Sequence, residues 1–234
     1  MIWKGHSVDG ISYRALLLDF YGTLVEEDDL LIGDIVRSIA ASSPVSSDPS
    51  RIGREWQTRF RALCAQAYAA QFQTQRVIEI ESLSGLLSAY RVPFEVAPLA
   101  EHLFAYWQAP TTYADAIRFI ANLHVPICIV SNIDTHDLLA ALRNTDWDFD
   151  HLVSSEDCRS YKPRPEMFAR ALAKLDCRAD EVLHVGDSLT SDIAGARECG
   201  IDTAWINRPG RSLPPHAVAP TYMVSNLDDL MARL

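Results

Sequence analysis

The sequence is short of positive charge, of cysteine in any paired spacing and of long apolar runs. Its 234 residues hold 21 Lys and Arg against 31 Asp and Glu, a formal net charge of −10. A nucleic-acid backbone is repelled by such a chain rather than neutralised, so nucleic acid is not an expected partner. Any anion-handling site must be a local arrangement of a few groups working against the global field. The five cysteines (Cys64, Cys128, Cys158, Cys177, Cys199) are odd in number, scattered and never spaced C-x-x-C. That argues against a disulfide frame or a zinc knuckle and for reduced thiols, hence a cytoplasmic protein. No window approaches the roughly 18 apolar residues of a membrane span, and the opening MIWKGHSVDG has no apolar leader, so no membrane partner is expected. Glycine is sparse, 10 residues against 12 prolines, and neither a repeat nor a low-complexity tract occurs. With 48% hydrophobic and 22% charged residues, this excludes collagenous, fibrous and disordered classes. P-loop, nucleophile-elbow, GxGxxG and HExxH patterns are also missing, which removes the commonest nucleotide, serine-hydrolase, dinucleotide and zinc-protease readings.

What is present is a rhythm of short apolar runs ending in polar or small residues: 14–20 (RALLLDF), 126–132 (PICIVSN), 151–155 (HLVSS), 181–187 (EVLHVGD), 202–207 (DTAWIN) and 222–225. They are rich in Val, Ile and Leu without strict alternation, as strands buried on both faces of a parallel sheet are. Helical patterns at 111–124, 135–143, 165–175, 190–199 and 226–233 lie between or after them. This alternation predicts an α/β fold with a Rossmann-like, doubly wound parallel sheet. Residues 26–108 break the rhythm with helical patterns only, near 30–41, 51–72, 76–90 and 95–108. That is far too long for a βα loop, so it reads as an all-helical cap inserted into a core made of 1–25 and 109–234. In its second helix, Trp56, Phe60, Leu63 and Ala67 form an apolar stripe, and Arg54, Arg61 and Tyr68 fall on nearly the opposite side. The second stripe is either a solvated face or a wall that meets an anionic substrate.

In open parallel sheets the ligand crevice lies beyond the carboxyl ends of the strands. Asp19 closes the first strand and precedes Tyr21-Gly22-Thr23-Leu24, where a carboxylate can be a nucleophile, a metal ligand or only a turn cap. Ser131 and Asn132 close the second strand with a hydroxyl and an amide suited to an oxyanion. Lys162 stands in Tyr161-Lys162-Pro163, before a helix that Pro165 can open. Asp187 and Asp192, in Gly186-Asp187-Ser188-Leu189-Thr190-Ser191-Asp192, place two carboxylates five apart across a strand-to-helix turn. That pair suits Mg²⁺, although Asp187 and Ser188 can equally cap the next helix. The acidic run Glu26 to Asp29 is expected to favour the N-terminus of the first inserted helix rather than to touch substrate.

Taken together, D-x-x-G-T-L, an inserted helical stretch, S-N, K-P and G-D-x-x-x-x-D resemble the haloacid dehalogenase superfamily along the whole chain. The resemblance implies a C1-type helical cap over the site, Asp19 as nucleophile and, in most members, Mg²⁺-dependent phosphatase chemistry on small substrates. It implies metal ligation by Asp19, the Tyr21 backbone carbonyl, Asp187 and Asp192, and stabilisation of the transferring group by Ser131 and Lys162. Tyr21, Thr23, Asn132 and Arg54 are candidates for substrate binding. Two departures pull in opposite directions. Phosphatases of the superfamily read D-x-D, the second Asp being the general acid, whereas Tyr21 gives D-x-Y-G-T, the form of L-2-haloacid dehalogenases. Those dehalogenases need no metal, carry an uncharged residue where this chain keeps Asp187, and have a tyrosine where this chain has Phe168; Arg54 is a loose match to their cap arginine. Three clustered carboxylates are costly without a cation, which favours a Mg²⁺-dependent phosphatase of a small phosphorylated metabolite. The alternatives are a metal-independent L-2-haloacid dehalogenase and a catalytically weak binding protein that keeps the fold.

Overall fold

The computed structural model describes residues 13–234; the leader reading of MIWKGHSVDG lies outside them. Six strands, β1 (Ala15–Leu18), β2 (Ile127–Ser131), β3 (His151–Ser154), β4 (Val182–Gly186), β5 (Asp202–Ile206) and β6 (Tyr222–Val224), form one sheet in the order β3-β2-β1-β4-β5-β6. Every pairing is parallel. The chain therefore builds outward from β1 to one edge, returns through the middle and builds to the other.

The central strands are largely apolar, β1 wholly so, because both faces are covered. Along β1, Leu16 and Leu18 point into one cluster with Ala116 and Phe119 of α5 (Ala114–Asn122). Leu138 and Ala141 of α6 (Thr135–Arg143) join it there. Ala15 and Leu17 point the other way, to Met167, Phe168 and Ala171 of α8 (Pro165–Leu175). The period of two in a strand sends neighbours to opposite faces, so a run such as ALLL serves two cores at once. The small α7 (Ser155–Cys158) and α9 (Gly195–Glu198) follow β3 and β4, and α10 (Leu227–Met231) follows β6.

Between β1 and α5 lie four helices, α1 (Asp29–Ser42), α2 (Pro49–Gln66), α3 (Gln75–Tyr90) and α4 (Val96–Gln108). α2 begins at Pro49, where the missing N–H is not needed. It ends at Gln66, short of the 72 that its pattern predicts, because the chain leaves helical geometry to dock on the core. The Ala69 N–H donates to the Arg159 carbonyl at 2.9 Å, and Arg159 Nε donates back to the Ala69 carbonyl at 3.0 Å. α2 buries Ile52 and Trp56 against this assembly, worth about 1.5–3 kcal/mol for each such side chain. The two passages of chain between sheet and helices run side by side. Val25 pairs antiparallel with Thr112, Glu26 N–H donates to Thr111 O at 2.8 Å and Tyr113 N–H to Leu24 O at 3.1 Å. Among the described residues no helix is long and apolar enough to cross a membrane.

Candidate active site

The sheet order sets the site. Growth reverses between the neighbours β1 and β4, and an open parallel sheet leaves its crevice at such a reversal, beyond the strands' carboxyl ends. Asp19 follows β1, Ser131 closes β2 and Asp187 follows β4, so three adjacent strands deliver their terminal residues to one place. All three line a cavity of about 840 Å³ whose other wall is α2 and α3. The turn after β4 is a wide π-type turn, Leu189–Ala194, in place of the regular helix that its pattern predicts. It brings Asp192 back beneath the strand end. That fold-back requires Gly186, where a Cβ would stand 2.3 Å from Asp192 Cγ.

Lys162 is the hub. It is 4% exposed, and its ammonium donates to Asp19 Oδ1 at 2.7 Å, Asp192 Oδ1 at 2.6 Å and the Val130 carbonyl at 2.7 Å. Three donors meet three acceptors, so none is left over. Burial alone would lower its pKa, but Asp19 and Asp192 outweigh burial and keep it charged. Asp192 is pulled well below the ordinary carboxylate range by Lys162 and His184 against its burial. It also accepts from Ser188 N–H at 3.0 Å, with His184 Nε2 at 3.0 Å on the oxygen that Lys162 shares. Burial lowers the His184 pKa, which keeps the ring neutral. Asp19 is raised to about 6, by burial first and with Lys162 opposing.

Asp187 is different. Its carboxylate accepts no hydrogen bond among the described residues, yet an oxygen of each of Asp19, Asp187 and Asp192 lies within 4.8 Å of the others. Burial, then Asp192 and Asp19, push it up to about 8. Glu27 is raised too, by lost hydration and by Asp187. Both carboxyls press on Gly22, which has φ +80°; a Cβ there would lie 2.7 Å from Asp187 Cγ and 2.9 Å from Glu27 Oε1. The donor set, oxygen-only and carboxylate-rich with one member lacking any cation of its own, fits a hard divalent ion.

The other predicted residues divide. Ser131 lines the cavity and its hydroxyl makes no hydrogen bond among the described residues. Arg54 also lines it and is exposed. Asn132 reaches the cavity, but its amide is spent on the lysine loop, accepting from Lys162 N–H at 2.7 Å and donating to Lys162 O at 3.1 Å. It positions Lys162. Thr23, a substrate-binding candidate by sequence, does not line the cavity: it is fully buried, with its hydroxyl 3.4 Å from Asp19 Oδ2. The Tyr21 phenol lines the cavity and donates to the Trp107 carbonyl at the end of α4. Phe168 is fully buried in the core against the His184 ring and offers nothing to a ligand.

The acidic run does more than favour a helix end, correcting the sequence expectation. Glu27, Asp28 and Asp29 all line the cavity, and Asp28 accepts from Trp107 Nε1 at 2.8 Å instead of capping α1. In α2, Trp56 and Phe60 of the apolar stripe and Arg54 and Arg61 of the polar one all reach the cavity wall. Sequence reasoning missed Gln75 and Glu79 of α3 and the buried His184. The signal for Glu79 was weak: it is one of two glutamates in the mixed stretch VIEIESL, with Glu81 exposed.

Residues 13–200 match the family of haloacid dehalogenase-like hydrolases. The chain is 24% identical over 224 residues to (S)-2-haloacid dehalogenase H-109 of Pseudomonas putida, covering 93% of this chain and 96% of that one. Over 109 residues it is 38% identical to the ribulose-1,5-bisphosphate 5-phosphatase of Halopiger xanaduensis, covering 42% and 45% of the two chains. Its fold is similar to that of the L-2-haloacid dehalogenase RSc1362, with a TM-score of 0.78, 94% of this chain and 98% of that one covered, and 21% identity. With a match running through β1, the helical run, the lysine loop and the acidic turn, the chain belongs to the haloacid dehalogenase-like hydrolases.

Proposed function

We propose that the protein is a Mg²⁺-dependent phosphohydrolase of small phosphorylated molecules. The observation that carries this is Asp187: a half-buried carboxylate that, among the described residues, accepts no hydrogen bond, beside Asp19 in a site where the Lys162 ammonium is already spent on other acceptors. A dehalogenation site has no use for that charge, because a halocarboxylate brings one negative charge where a phosphate brings about two. Asp19, Asp187 and the Tyr21 carbonyl would hold the ion, with Asp192, already saturated by Lys162, His184 and Ser188, steadying it from behind. A Mg²⁺ bound there supplies positive charge against phosphate repulsion and orients the phosphoryl group.

Asp19 attacks phosphorus through Oδ2, the oxygen that Lys162 does not hold; as that bond forms, the phosphorus bond to the leaving oxygen breaks to give an aspartyl phosphate, which water then hydrolyses to free phosphate and the Asp19 carboxylate. The Ser131 hydroxyl donates to the transferring oxygens, and Lys162, whose three hydrogens are spent on Asp19, Asp192 and Val130, acts on them only through its charge. The leaving oxygen receives no proton from position 21. The Tyr21 phenol is raised far above the neutral range by burial and the carboxylates around it, and its hydrogen is committed to Trp107. The enzyme therefore favours leaving groups that depart as stable anions, acyl phosphates first. The cavity, at about 840 Å³, is at the upper end of small-molecule sites and leaves ample room beyond the phosphate.

The second reading, a haloacid dehalogenase, is favoured by Tyr21 and by the dehalogenase names that predominate among the relatives. One panel separates the two: acetyl phosphate and 2-chloropropionate, each with Mg²⁺ and with EDTA, beside an Asp19→Asn control. Phosphate release that EDTA abolishes supports the phosphohydrolase. Chloride release that survives EDTA replaces it with the dehalogenase.

A further inference from the structure

The α3 wall of the cavity holds two buried acceptors that accept no hydrogen bond among the described residues, Gln75 Oε1 and Glu79 Oε1. They are one helical turn apart and so share a face. Glu79 is 6% exposed, and a buried polar atom left without a partner costs about 1–3 kcal/mol. No cation pairs with it among the described residues. The neighbouring Trp56 indole donates to Ser82 Oγ at 3.0 Å, and Asp28 adds a second carboxyl. Burial, then Asp28, push Glu79 up to about 8 against the pull of Trp56. Arg54 and Arg61 line the same cavity but are exposed, whereas Glu79 is not.

This wall is also held in place. Asp134, just beyond β2, accepts from the backbone N–H groups of Gln75 and Arg76 at 2.7 and 3.1 Å, and Arg76 forks onto Asp137, with Nε to Oδ2 at 2.7 Å. The first turn of α3 is thus pinned to the sheet that carries Ser131. Unpaired acceptors on a fixed wall, beside a second carboxyl, are complementary to a ligand bearing donors and positive charge.

We propose that Gln75 and Glu79 receive the end of the substrate remote from the reacting bond, and that this end carries hydrogen-bond donors, an ammonium group before a hydroxyl. The substrate class is then a phosphorylated amine or amino alcohol. The phosphate at the other end rests on the function proposed above; the donor-binding wall does not.

The test uses alkyl phosphates of matched length ending in methyl, hydroxyl or ammonium. Their binding is followed through the Trp56 indole N–H resonance in the wild type, Glu79→Leu, Glu79→Gln and a Glu81→Gln control on the exposed side of α3. The ammonium-ended ligand is expected to bind the wild type and the control about 10- to 100-fold more tightly than the methyl-ended one, as a hydrogen bond to a charged group implies. The preference disappears in Glu79→Leu, and in Glu79→Gln it shrinks toward that for hydroxyl. Equal binding of methyl and ammonium ends by the wild type, or a preference that survives Glu79→Leu, overturns the proposal. If Glu79→Leu does not melt cooperatively, survival of the full ammonium preference in Glu79→Gln overturns it instead. Acetyl phosphate, which has no remote end, is hydrolysed in parallel. Donor preference without hydrolysis sinks the phosphohydrolase and leaves the wall standing; hydrolysis without preference does the reverse.

Discussion

Asp187→Asn should make the metal-free protein more stable and remove its response to Mg²⁺. The Asp187 carboxyl is raised from the ordinary 3.8 to about 8 by burial and by Asp192 and Asp19. A raised carboxyl binds its proton more tightly folded than unfolded, so its cost to the fold grows as pH climbs from about 4, is fully present above about 8, and vanishes below the unfolded value. Each tenfold change in acidity is worth about 1.4 kcal/mol, and pH 7 lies about three decades above the ordinary value, giving about 4 kcal/mol at most. Relaxation and solvent at a half-buried site reduce this to about 2 kcal/mol. For a chain of this size that is about 5 °C in Tm. The assay is thermal unfolding in EDTA and in Mg²⁺, at pH 5.5 and 8.5. The wild type should lose stability in EDTA as pH rises, recover it with Mg²⁺, and respond more strongly to the ion at pH 8.5 than at pH 5.5. The variant should melt higher in EDTA and ignore the ion. An Asp187→Asn protein no more stable than wild type in EDTA, with an undiminished Mg²⁺ response, would refute the assignment of Asp187 as a ligand.

Lys162→Met leaves Asp19 and Asp192 facing each other uncompensated, so a loss of about 3–5 kcal/mol is expected in denaturant melts, together with loss of turnover. A midpoint matching the wild type would dispose of Lys162 as the hub. Gly186→Ala drives a methyl group into Asp192 and is expected to cost about 1–3 kcal/mol while displacing Lys162, read by unfolding and by kcat. Tyr21→Asp supplies a carboxyl where a leaving oxygen can use one. Alkyl phosphate turnover should rise by about 10²-fold or more relative to acetyl phosphate turnover, and an unchanged ratio of kcat values would mean that position 21 has no bearing on the leaving group.

Much of the sheet was legible because its message is local: RALLLDF or EVLHVGD states its own burial, and all six runs became strands. The strand-terminal polar residues were legible for the same reason, since a parallel sheet puts all such ends on one side. What could not be read was how side chains are spent. Thr23 and Asn132 carry groups suited to substrate, but buried donors and acceptors must be satisfied, and each turned inward to hold Asp19 or Lys162. Glu79 was hidden for the opposite reason. Its meaning lies in the absence of a partner, and only the three-dimensional neighbours reveal an absence. The early end of α2 and the π-type turn before α9 were also illegible, because distant contacts with Arg159 and Lys162 override the local helical pattern.

The bond from Tyr21 to the Trp107 carbonyl has a mechanical consequence. Tyr21 lies two residues past Asp19, and Trp107 is one residue short of the end of α4. The phenol is a strut between the loop that carries Asp19 and the last helix before the chain returns to the sheet. Displacement of α4 is therefore coupled to the Asp19 loop through this side chain, alongside the Trp107–Asp28 bond.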